Sequence, residues 1–187
     1  MNHLRRIVIV CGYGCDLESP LKSYLDRVLQ YCFQHRPDAV ILTGGATQRK
    51  RFPNETEASV MYKYLKPLEN HCHPMWFVRD FAYTTYDNIE QATACVREIE
   101  HWHHTTDHEI VIFCEATRAL KVAMLARHFL GFPPERGLPP IRIETDSWEL
   151  MHPTIELVGT IKEWLAIRFP FLNTIQRNAR IRKSRSR

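Results

Sequence analysis

Five short apolar runs alternate with segments of helical period, and this alternation constrains the fold more than any other feature. The runs cover residues 6–11, 39–43, 75–78, 109–114 and 141–144. They are too short for buried helices and rich in Val, Ile and Phe, so they read as strands. They show little polar alternation, the mark of strands covered on both faces. A helix between successive strands implies parallel crossovers with helices on both sides of the sheet. The expected class is α/β: a three-layer Rossmann-like sandwich with a mostly parallel five-stranded sheet.

The helical segments carry their own start and stop signals. Ser19 reads as the N-cap of the first helix, with Pro20 at its first position and Leu21, Tyr24, Leu25, Val28 and Cys32 on one face. The second helix reads from Asn54, with Glu57 three residues on as a capping box, through Ala58, Met61 and Leu65 to Pro67. Thr85 reads as the cap of the third, which carries Ile89, Ala92, Val96 and Ile99. The fourth spans about residues 116–130, with Leu120, Ala123, Met124 and Phe129 inward and Gly131 as its stop. The last begins near Pro153 and uses Ile155, Val158, Ile161, Trp164 and Leu165.

A length of 187 residues suits one domain, and no apolar stretch reaches the roughly 18 residues of a membrane span. Residues 1–172 read as that domain and 173–187 as a basic, disordered C-terminal tail. The net charge of +4 is terminal: six of the 25 basic residues lie after Gln176, and removing them leaves 19 basic against 21 acidic. The six cysteines form no Cys-x-x-Cys pair and mostly sit in apolar segments, so they read as reduced core residues of a cytoplasmic protein.

In open α/β sheets ligands bind beyond the carboxyl ends of the strands. Gly12-Tyr13-Gly14 follows the first strand, but Leu17 stands where a dinucleotide turn needs its third glycine. The turn reads either as a loose anion-accommodating loop or as a tight strand exit. Gly44-Gly45 follows the second strand, then Arg49-Lys50-Arg51, which alone reads best as a solvated loop. Thr85 and Asn88 lie at the third helix start, where free N–H groups favour an anion. Glu115 and Arg118 follow the fourth strand: Arg offers a fork for phosphate or carboxylate, and Glu115 is a candidate general base. Glu144, Asp146 and Trp148 follow the fifth, as an acid and an aromatic lid or as a plain surface loop. The histidines at 71, 73, 101, 103, 104 and 108 fall at the opposite end of the sheet without metal-ligand spacing, so no metal is expected.

Together these stretches resemble the YdcF-like (SanA/ElyC-like) family, a domain of unknown function. The matching residues are the Gly12 turn, Arg27, Thr43-Gly44-Gly45, Glu57-Ala58 with Met61 and Tyr64-Leu65, Thr85-Tyr86-Asp87-Asn88 with Asp in place of Glu, Arg118, and Glu156 in a late helix. The resemblance covers residues 5–168. Where the family typically shows His three residues before the Arg, this chain has Glu115. The resemblance implies a Rossmann-like fold and a polar pocket, and one branch is associated with S-adenosylmethionine. Several relatives are membrane-anchored; no anchor is read here, so an envelope role does not carry over.

The expected function is a cytoplasmic small-molecule-binding protein, with a nucleotide-like ligand (S-adenosylmethionine included) or a phosphorylated one. Gly12, Gly14, Gly44 and Gly45 would admit the ligand to the backbone. Arg118 with Arg27 would hold its anionic group. Glu57, Thr85, Asn88 and Glu115 would position polar groups or a water. The alternatives are a metal-assisted phosphoesterase or other hydrolase with Glu57 or Glu115 as base, and an adaptor contacting nucleic acid or protein through the basic tail. A methyltransferase is less expected, because no acid follows the second strand to hold ribose hydroxyls.

Overall fold

The computed structural model describes residues 5–18, 20–104, 108–131, 141–146 and 153–186. Five strands, β1 (Arg5–Cys11), β2 (Ala39–Thr43), β3 (Met75–Arg79), β4 (His108–Glu115) and β5 (Ile141–Asp146), form one parallel sheet in the order β3-β2-β1-β4-β5. Every expected strand is present. The order reverses between β1 and β4, which makes their carboxyl ends the topological switch point where open sheets leave a crevice.

Among the described residues six α-helices complete the sandwich: α1 (Leu21–His35), α2 (Glu57–Leu65), α3 (Thr85–His103), α4 (Ala119–Leu130), α5 (Pro153–Arg168) and α6 (Pro170–Ser186). Strand residues alternate between two cores. Ile7, Ile9, Cys11, Ile41 and Ile112 pack under α3 and α4. Val8, Val10, Leu42, Val111 and Phe113 pack under α1 and α2. Each such aliphatic, taken fully out of water, contributes about 1.5–3 kcal/mol. All six cysteines are free; burial pushes the Cys11, Cys15 and Cys32 thiols up to about 12.

Several expectations are corrected. The α2 cap is Thr56, whose hydroxyl accepts from Ser59 N at 3.0 Å while Ser59 Oγ accepts from Thr56 N. Glu57 is therefore the first helical residue and not a cap, since Ser at the third position does the work expected of Glu. Thr84, not Thr85, caps α3, paired in the same way with Asp87. A 3₁₀ turn (Ala116–Arg118) precedes α4 and rotates its register: Val122, Leu125 and Ala126 face inward while Leu120 is exposed. On α5, Val158, Ile161 and Trp164 are exposed, and Glu163 and Ala166 are buried instead. The segment expected to be a disordered tail is α6, which packs on α5. Ser19 as a cap, the loop with Trp148, and the side chains of Asp146, Ile155 and Glu156 lie outside the described residues.

Candidate functional site

The glycine loops, α2 and the α4 entrance meet at the carboxyl edge. Gly12 N donates to Thr43 O at 2.6 Å, Gly44 N to Arg79 O and Gly45 N to Ala82 O, so the loops continue the sheet's ladder past its strands. The carbonyls of Gly45 and Gly44 accept from Glu57 N and Ala58 N at 3.1 and 3.2 Å. Two N–H groups of the α2 start are thus taken by the loop itself.

Glu57 lies between the loops and is 8% exposed. A Cβ at Gly12 would overlap Glu57 Oε2 and lie 2.9 Å from Thr43 O, and a Cβ at Gly44 would lie 2.6 Å from Glu57 Cβ. These glycines leave room for the chain's own carboxylate. Gly45 has a packing reason instead, because a Cβ there would meet the Ala82 carbonyl at 2.8 Å. Gly14 takes φ +100°, a value that favours glycine, beside Gln48, which accepts from Cys15 N at 3.0 Å. Burial raises the Glu57 carboxyl above its ordinary value; Thr47, which donates to Oε1 at 2.5 Å, the Arg118 charge and the Gly14 N–H offset part of that rise.

Arg118 bridges the switch point. Its Nη1 donates to Gly12 O at 3.0 Å and its Nε to Glu115 Oε2 at 3.0 Å, and the guanidinium stands 5.7 Å from the Tyr13 ring centre. Desolvation disfavours its charge, but Glu115 and Glu57 outweigh that and keep it cationic. Thr117 holds the other Glu115 oxygen at 2.5 Å, so both carboxylate oxygens are engaged. That makes Glu115 an anchor for Arg118 more than a base facing a ligand. Arg27 is directed away from this cluster, donating to Thr145 O at the end of β5 at 2.6 Å.

At the α3 start the chain supplies its own anion. Asp87 is fully buried and accepts from Tyr83 N (3.0 Å), Thr84 N (3.2 Å), Asn173 Nδ2 (2.9 Å) and Arg177 Nη2 (2.6 Å). Burial alone would raise this carboxyl; the hydrogen bonds from Arg177, Asn173 and Tyr83 N–H outweigh it and hold it below its ordinary value. Thr85 and Asn88 are buried beside it, and Asn88 Oδ1 has no hydrogen-bond partner among the described residues.

Sequence reasoning missed the residues that α6 and its neighbours bring here. Arg180 Nη1 donates to Tyr83 O at 3.1 Å. Lys121 passes Gly159, where a Cβ would lie 3.2 Å from its ammonium. Glu163 is buried, and its Oε2 has no hydrogen-bond partner among the described residues. Desolvation lowers Lys121, with Arg118 adding to the effect, and raises Glu163, partly offset by Lys121 and Arg180. The spacing of Asn173, Arg177 and Arg180 by four and three places them on one helix face, the signal that could have revealed them. Arg49, Lys50 and Arg51 are exposed, and Arg51 pairs with Asp16 at 2.6 Å.

Among the described residues, no group of three His, Cys, Asp or Glu could hold a metal, and no helix is long and apolar enough to cross a membrane. In comparisons with known proteins, no family model, no curated protein and no solved structure matches the chain.

Proposed function

We propose that the chain binds a small anionic ligand, nucleotide-like or phosphorylated, at the carboxyl edge of β1 and β4, as the YdcF-like resemblance implies. One observation carries this: Arg118 is tied to Gly12 O and Glu115 at the switch point, where its fork is oriented before any ligand arrives. A preoriented guanidinium loses little freedom on binding phosphate or carboxylate. S-adenosylmethionine fits in part. Its carboxylate suits Arg118, but Gly44-Gly45 stands where a ribose-binding acid would follow β2.

The test is a thermal-shift and calorimetric screen with ADP, inorganic phosphate and S-adenosylmethionine. A ligand at a hundredfold excess over Kd adds about 2.7 kcal/mol to stability. Arg118→Ala should weaken that ligand at least tenfold with its fold retained. Unchanged affinity would remove Arg118 from the site.

A second reading is a hydrolase using Glu57. A buried carboxyl raised above its ordinary value, in contact with Thr47, has the properties of a general acid or base. Turnover of a phosphorylated substrate that Glu57→Gln abolishes would favour it. Turnover that survives the change would sink it.

A further inference from the structure

We infer that the ligand of this protein is an anionic amphiphile: a phosphate or carboxylate head on a single alkyl or acyl chain, with the chain lying between α5 and α6. The inference rests on the sheet-edge proposal only for where the head group is directed. The groove between the two helices has a volume of about 440 Å³, within the range of roughly 300–1,000 Å³ usual for small-molecule sites. Its apolar wall is Leu165, Leu172, Ile175 and Ala179, and its charged residues are Lys162 and Arg180. No acid occurs anywhere after Glu163, whereas seven basic residues do. Charge therefore selects an anion, and the wall selects hydrocarbon.

Arg180 joins the groove to the sheet edge. It lines the groove, donates to Tyr83 O ahead of α3, and its charge acts on Glu57, Glu163 and Lys121. A head group at Arg180 would face the polar cluster while its chain ran back along the groove. Ile175 is 59% exposed and Trp164 51%, so apolar surface on both helices remains to be covered. A free monomeric amphiphile matches a groove of this volume, whereas a bilayer would need only the exposed rim.

The experiment titrates the full chain with butyl, octyl and dodecyl phosphate below their micelle concentrations, by calorimetry. Each methylene buried is worth about 0.8 kcal/mol, so affinity should rise about fourfold per carbon and roughly two hundredfold from butyl to octyl. Ile175→Ser, at an exposed position and adding no charge, should cut octyl phosphate affinity at least tenfold. Arg180→Ala should weaken every chain length by a similar factor. Equal Kd values for butyl and octyl phosphate overturn the inference, as does binding confined to anionic vesicles, which would indicate a membrane surface. Failure of the sheet-edge reading has a different signature: Arg118→Ala then leaves phosphate and ADP affinity unchanged while the chain-length dependence persists.

Discussion

Arg177→Ala tests whether α6 is part of the folded body. Asp87 is fully buried, and Arg177 is its only cationic partner closer than 4 Å among the described residues. Removing one partner of a buried ion pair usually costs about 3–5 kcal/mol, because the other charge is left in low dielectric. Two features reduce that figure here. Asp87 keeps three neutral donors, Tyr83 N, Thr84 N and Asn173 Nδ2, and the Arg177 side chain is 37% exposed, so water can take its place. The expected loss is about 2–3 kcal/mol. For a domain of this size, each kcal/mol shifts Tm by about 2–4 °C, so Tm should fall by about 4–12 °C. The pH dependence follows from the direction of the shift. Asp87 is held below its ordinary value, so the stability it contributes is present above the unfolded value of about 3.9 and is lost as pH falls through the folded value. Urea unfolding of wild type and Arg177→Ala should show a constant gap from pH 7 to about pH 5, narrowing below about pH 4. A gap under about 0.5 kcal/mol at pH 7 would refute the clasp, as would a gap that widens with acid.

Gly12→Ala should destabilise by about 1–3 kcal/mol in urea, since its Cβ meets Glu57 Oε2 and the Thr43 carbonyl; adding Glu57→Ala should recover part of that loss. Glu57→Gln should be at least as stable as wild type at neutral pH. A carboxyl raised by burial costs stability once pH exceeds its unfolded value, so any advantage of Gln should vanish toward pH 4 on acid titration. In native protein at pH 8, Cys72 should react with a thiol reagent before Cys11, Cys15 and Cys32, because it is half-buried while burial holds those three thiols near 12; mass spectrometry of the labelled protein checks the order.

The strands were legible because a strand buried on both faces must be apolar throughout, and no other element of that length carries such a run. Helix starts were harder. Thr56 and Asn54, or Thr84 and Thr85, are all good cap formers, and only the backbone decides which side-chain oxygen faces the free N–H groups. On α4 and α5 the inward faces were misjudged. The 3₁₀ turn before α4 shifts its register, and Glu163 occupies an inward position that periodicity reserves for an apolar residue. Helix α6 was invisible for a related reason. The face it buries carries Asn173, Arg177 and Ser184, whose partners are polar, so no hydrophobic period marks it.

The glycine turns show how a correct inference about space can point to the wrong occupant. Gly12 and Gly44 imply that something approaches the backbone closely, and something does: the Glu57 side chain. The cleft between the two loops is therefore already filled by a carboxylate that burial holds above its ordinary value. An anionic ligand cannot sit between those loops without displacing or protonating Glu57. It would instead approach from the β1–β4 side, where Arg118 is held by Glu115 and by the Gly12 carbonyl. Lys121 on α4 and Arg180 on α6 both act, with Arg118, on the charge of Glu163. In the proposed binding mode the sheet would supply the orienting arginine, and α6 would supply the charge that a ligand meets on its way in.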